Sequence, residues 1–311
     1  MRDTLSYEPR SPISRVRDWV ATFKELSKSG IVALVLISVF AGYLVGQSSE
    51  TSLRPGHLIL TLFGILFLAS GSSALNQLQE RHIDATMPRT SSRPLPSGRL
   101  SPTWVTGFVL ATLTLGAVLL SQINATVLML GILAVISYNG LYTLWWKKHW
   151  AYAAVPGAIP GALPILMGYA AASGTALAPA GLYLFLILFA WQMPHFWVLA
   201  LRFKDDYASG GFPTLPVSKG AGVTVFQIQL WCLAYVGIAL IAPLFLKVRL
   251  IYASVTLLTS IWVLWELRYF SKKPDGKSWL RFFLSVNFSL ILYLAAAVVD
   301  LWSLNLLSVF Y

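Results

Sequence analysis

An all-α integral membrane protein, a bundle of nine transmembrane helices with a central cavity opening toward the cytoplasmic side, is the fold class this sequence predicts. Three observations carry the prediction. The 311 residues are 57% hydrophobic and only 11% charged, with a mean hydropathy of +0.68, far from the balance of soluble domains. Nine apolar runs are each long enough to cross a bilayer, which takes about 20 residues. Lys and Arg are also shared very unevenly between the connecting loops.

Residues 1–30 form a basic N-terminal segment. Within it Ile13, Val16, Trp19, Val20, Phe23 and Leu26 recur at helical spacing among Arg15, Arg17, Lys24 and Lys28. That pattern suits a helix lying on an anionic bilayer face, with a solvated basic tail as the alternative. The first long apolar run begins only at Ile31, so no signal peptide is expected, and Asp3, Glu8, Asp18 and Glu25 argue against a mitochondrial presequence.

Residues 31–311 form the transmembrane domain. Spans are expected over 31–47, 56–80, 103–121, 124–145, 151–172, 179–203, 224–246, 249–270 and 278–300, with short turns near Gln122 to Asn124 and Lys247 to Arg249. If these alternate, 20 of the 23 Lys and Arg fall on one side and only Arg54, Lys247 and Arg249 on the other. The basic side then faces the cytoplasm, with the charge confined to loops and no nucleic-acid partner expected. The single cysteine, Cys232, lies in an apolar run, which excludes an intrachain disulfide and reads as buried filler.

Between Thr51 and Trp265 the chain carries only four acidic residues, the pairs Glu80 with Asp84 and Asp205 with Asp206. Each pair closes an apolar run on the basic side. Charges at such positions are costly and ask for a function. Asn76, Glu80 and Asp84 stand at i, i+4 and i+8, on one helical face, before Pro88 stops the helix. Carboxylate and amide oxygens so arranged suit Mg²⁺, leaving positions for water and phosphate. Arg89, Arg93 and Arg99 follow in a loop able to fold back, and guanidinium groups grip phosphate oxygens bidentately. A solvated helix cap is the competing account of the same charges.

The second segment closes the sixth span with Lys204, Asp205, Asp206 and Tyr207. Spans two and six both run toward the basic side, so the two acidic ends can converge on one mouth and clamp a diphosphate through Mg²⁺. Lys147 and Lys148, ending the fourth span, supply point charges there or act as a positive-inside anchor. Tyr138, Tyr142, Trp191, Phe196 and Trp197 stand near the mouth, where aromatic faces can stabilise an allylic cation; packing is the plainer account of each. His195 follows Pro194 and is open to three readings: a bond to a freed backbone carbonyl, a haem-iron ligand or a proton relay.

These segments closely resemble the protohaem IX farnesyltransferases (haem O synthases) of the UbiA-like membrane prenyltransferase superfamily. The resemblance runs from about Leu26 to at least Gly220 and rests on Asn76 to Asp84, Arg89-Thr90, Arg93-Pro94 and Gly98, then Tyr138-Asn139, Tyr142-Thr143 and Lys147-Lys148, then Gly161-Ala162, Pro164 and Gly168. Most telling is WQMPHFW (191–197), followed by Asp206-Tyr207 and Pro213 to Pro216. Glu80 replaces a usual Asp, Trp150 and Ala153 stand for Thr and Asn, and Ser29-Gly30 stands for Pro-Arg, so one family base is missing there.

The resemblance implies transfer of a farnesyl group from farnesyl diphosphate to a vinyl group of haem B, with water adding a hydroxyl, to give haem O. It implies Mg²⁺ on Asn76, Glu80, Asp84, Asp205 and Asp206, with Tyr142 also catalytic, and diphosphate on Arg89, Arg93, Lys147, Lys148 and Lys204. Haem or the prenyl chain falls to His195, Trp191, Phe196, Tyr138 and Tyr207. A multi-pass bacterial inner-membrane enzyme, with a haem A synthase or oxidase-assembly protein as partner, completes the expectation. Rival readings are a prenyltransferase for an aromatic quinone precursor, a secondary transporter and a haem-handling protein.

Overall fold

The computed structural model describes residues 12–47, 53–274 and 276–309, with side chains over 16–47, 53–274 and 276–303. Helix α1 spans Pro12–Leu26, α2 Ser29–Gly46, α3 Pro55–Asp84, α4 Pro102–Ser121 and α5 Ala125–His149. Then come α6 (Ala154–Ser173), α7 (Pro179–Arg202), the short α8 (Lys204–Ser209) and α9 (Leu215–Ser218), α10 (Gly220–Leu240), α11 (Leu250–Lys272) and α12 (Gly276–Val309). Among the described residues, nine of these are long and apolar enough to cross a membrane, and they coincide with the nine expected runs. The protein is therefore an all-helical multi-pass membrane protein.

Local signals set the helix ends. Pro55, Pro102 and Pro179 open α3, α4 and α7 at the first helical position, where the missing N–H costs nothing. Ser101 and Asn124 cap α4 and α5 through Trp104 N (3.2 Å) and Val127 N (2.9 Å). Large apolar residues on the outer faces stay uncovered, Met129 and Leu258 each 69% exposed, because lipid rather than protein solvates them.

The bundle is organised around α6, which packs on α2, α5 and α7 and is buried over 72% of its apolar window. Helices associate in lipid through close backbone approach rather than through a hydrophobic drive. Accordingly, a Cβ on Gly168 would lie 2.1 Å from the Val39 carbonyl oxygen, and one on Gly42 2.1 Å from that of Ile165. Only glycine lets α2 and α6 touch this closely. Around this pair, α3 packs along α4, α7 against α10 and α12, and α11 along α12.

Helix α5 departs from the expected α-helix. Over Ile136–Trp146 it winds as a π-helix. The wider i→i+5 turn re-phases its side chains, so Tyr138, Tyr142 and Lys147 all reach the interior. The N-terminal segment is helical over Pro12–Leu26, as its spacing predicts, and residues 1–11 lie outside the described ones. Phe23 meets Trp104 and Phe108 of α4, and Gln77 of α3 donates to the carbonyls of Glu25 (2.8 Å) and Leu26 (2.9 Å).

Candidate active site

The last three turns of α3 bury Asn76 (1% exposed), Glu80 (5%) and Asp84 (1%) at the wall of one cavity of about 580 Å³. Buried charges need partners, and each carboxylate has one. Lys147 forms an ion pair with Glu80. Arg93 Nη1 lies 2.8 Å from both oxygens of Asp84. Asn76 Nδ2 donates to Glu80 Oε2 (3.0 Å) and Thr143 Oγ1 (3.1 Å), so the amide links α3 to the π-helix. The loop after α3 folds back through Thr90 Oγ1, which donates to the Asp84 carbonyl at 2.9 Å.

The second acidic end meets the first. Arg89 Nε stands 3.6 Å from Asp206 Oδ2, and its guanidinium lies 5.4 Å above the Phe203 ring, bridging the α3 loop to α8. Tyr207 lines the same cavity, and burial raises its phenol above the usual range, leaving a neutral O–H. Lys147 sits 5.6 Å from the Tyr142 ring and 5.1 Å from that of Phe212. Below this charged rim the lining turns apolar with Ile65, Leu68, Val135, Pro164, Met167 and Phe196.

Hard oxygen donors of this kind fit Mg²⁺: two carboxylates one turn apart beside an amide oxygen. Among the described residues no three His, Cys, Asp or Glu side chains gather on one point. Any metal here would therefore complete its shell from amide, water and phosphate oxygens. Four bases at a rim that opens on an apolar chamber suit a ligand with a polyphosphate head and a hydrocarbon body.

A match to the UbiA prenyltransferase family spans residues 35–292. The chain belongs to the UbiA prenyltransferase family. It is 44% identical to the protohaem IX farnesyltransferase of Bdellovibrio bacteriovorus over 90% of this chain and 96% of that relative. Among solved structures, a digeranylgeranylglyceryl phosphate synthase superposes with a TM-score of 0.75 at 19% identity, covering 91% of this chain and 99% of that one. A UbiA homologue from Archaeoglobus fulgidus bound to GPP and Mg²⁺ gives 0.64 at 18% identity, covering 89% and 99%. At those identities the superpositions establish the UbiA fold.

Of the residues singled out from sequence, the cavity of this UbiA member gathers Asn76, Glu80, Asp84, Arg89, Arg93, Tyr138, Tyr142, Lys147, Phe196 and Tyr207. Asp206 joins through Arg89. Asp205 and Lys204 are exposed, and neither they nor Lys148 contributes to the lining. Trp191 and His195 turn away from it toward α12: Trp191 Nε1 donates to the Val286 carbonyl (2.9 Å), and the His195 ring lies between Trp191 (4.6 Å) and Phe283 (5.2 Å).

Sequence reasoning missed Lys28. Its Nζ donates to Asn76 Oδ1 at 2.7 Å and reaches Tyr138 Oη at 3.5 Å. Among described non-glycine residues it alone has a positive φ, 51°, a left-handed bend that aims the side chain from the α1–α2 junction into the cavity. Burial first, then Arg93, lowers its ammonium to about 8. The visible signal was a lysine at the break in helical pattern before Ser29-Gly30.

Proposed function

We propose that this protein transfers the farnesyl group of farnesyl diphosphate to a vinyl carbon of haem B, giving haem O. The observation that carries the reading is 44% identity to a protohaem IX farnesyltransferase across nearly the whole of both chains. The charged rim supports it, because a buried cluster of paired acids and bases above an apolar chamber has the form of a prenyl diphosphate site.

In this reading Arg89, Arg93, Lys147 and Lys28 hold the diphosphate oxygens and stabilise the charge that grows as the carbon–oxygen bond breaks. Asn76, Glu80, Asp84 and Asp206 would hold Mg²⁺, which when bound neutralises the leaving group. Asp205, exposed beyond the lining, is the weaker ligand of its pair. Tyr138 and Tyr142, stacked at 6.1 Å, turn aromatic surface toward the allylic cation, while Phe196, Met167 and Leu68 keep bulk water from it. Their apolar surroundings also house a farnesyl chain.

The rim faces the cytoplasmic side of a bacterial inner membrane, an orientation supported by the 20-to-3 division of basic residues. Exposed Val16, Trp19 and Val20 of α1 lie in that bilayer surface. A haem A synthase or an oxidase-assembly protein is the expected recipient of so apolar a product. Purified protein given Mg²⁺, farnesyl diphosphate and either haem B or 4-hydroxybenzoate tests the reading. Farnesylated haem is the expected product; prenylation of the hydroxybenzoate alone would reassign the acceptor.

A further inference from the structure

One polar side chain in the chamber takes no part in the charged rim. Gln192, on α7 within the Trp191–Trp197 motif, lines the apolar part beside Pro160, Pro164, Met167 and Phe196. Its Nε2 donates to the carbonyls of Ala158 (3.0 Å) and Leu188 (3.1 Å). Carbonyls only accept, so the orientation of the amide is fixed. Oε1 is thereby held against α6, where a Cβ on Gly161 would lie 2.0 Å from it. Among the described residues Oε1 receives no hydrogen bond, although Gln192 lines the cavity. Gly157, one turn earlier, seats the Tyr142 ring in the same manner, its Cβ position falling 2.6 Å from that ring.

We propose that Gln192 Oε1 positions the water that becomes the hydroxyl of the product. The inference rests on the haem O reading above. In that reaction the bond between farnesyl C1 and the diphosphate breaks, and C1 bonds to the outer vinyl carbon. Positive charge then sits on the inner vinyl carbon. The water oxygen closes on that carbon, and the surplus proton passes to the departed diphosphate. Water held in an apolar chamber needs polar partners. Oε1 accepts one of its hydrogens and leaves an oxygen lone pair directed at the cation. An amide suits the position because it is neutral and weakly nucleophilic. A carboxylate there would capture the cation as an ester.

The test compares wild type with Gln192→Met, which keeps volume and removes the acceptor, and with Gly161→Ala, which keeps the glutamine and displaces its oxygen. Each is given farnesyl diphosphate, haem B and Mg²⁺, with diphosphate release measured and haem products resolved by mass spectrometry. The ratio of hydroxylated product to the alkene lighter by one water falls about tenfold in both variants, the effect of losing one hydrogen bond. An unchanged ratio in Gln192→Met overturns the proposal, as does a loss of all farnesylated products in proportion in both variants. A wild type that releases diphosphate without farnesylating haem instead overturns the function proposed above.

Discussion

Lys28 and Asn76 are joined by a 2.7 Å hydrogen bond from Nζ to Oδ1, so the amide that braces Glu80 also fixes an ammonium arriving from another helix junction. Asn76 thus receives from Lys28 and donates to Glu80 and Thr143, with each of its polar atoms directed. Lys28→Met is expected to raise KM for farnesyl diphosphate about tenfold, with a smaller effect on kcat, as measured by initial rates.

The same lysine gives a signed pH dependence. Its folded-state value, about 8, lies below the usual 10.5, so between these values the unfolded chain binds the extra proton. Its contribution to stability therefore improves as pH rises through 8 and levels off above 10.5; below 8 the cost of burying the charge is fully present. Lys28→Met is expected to raise the thermal midpoint at pH 7 and to lose that gain by pH 10. Substrate binding runs the other way: KM rises as pH passes 8 in wild type, and Lys28→Arg flattens this rise.

Arg93 contacts both Asp84 oxygens at 2.8 Å, and Lys147 pairs with Glu80. Glu80→Gln and Asp84→Asn are expected to lower kcat about 10²- to 10³-fold while the helical circular dichroism stays unchanged. Diphosphate release at saturating substrate reads the effect.

Asp205 and Asp206 are neighbours with different surroundings, one exposed and one facing Arg89. Asp206→Asn is expected to lower turnover about 10²-fold and Asp205→Asn less than about threefold, comparable to other surface changes. Equal effects in the same assay would contradict the assignment.

The α2–α6 contact has no room for a side chain at Gly168. Gly168→Val is expected to lose about 1–3 kcal/mol or more through forced separation of the helices, read as a lower melting midpoint in detergent. Gly30→Ala, which meets nothing within 4 Å, is the matched control.

Much of this was legible in the sequence because bilayers impose simple arithmetic. Nine apolar runs gave nine spans, and the i, i+4, i+8 placing of Asn76, Glu80 and Asp84 gave the buried acidic face. The convergence of the two acidic ends was legible from charge and span direction, but other contacts between segments distant in sequence were not. The π-winding of Ile136–Trp146 leaves no mark in hydrophobic periodicity, yet it brings Tyr142 and Lys147 to one chamber. Lys28 enters through a left-handed bend, and the Gln77 bonds to Glu25 and Leu26 hold the end of α1 nearby. The resemblance assigns His195 to the haem or prenyl chain, whereas its packing between Trp191 and Phe283 turns it toward α12, a contact that no local pattern announces.

The pairing of Glu80, Asp84 and Asp206 with Lys147, Arg93 and Arg89 has a thermodynamic corollary. At the entrance three acids are thus matched by three bases of the same chain, with Lys28, held by the Asn76 amide, as the surplus charge. A solitary divalent cation or a solitary pyrophosphate must break those pairs and strand half of each. Arriving together, the two exchange partners with the protein so that no ion is left alone, which makes cargo and counterion mutually dependent guests.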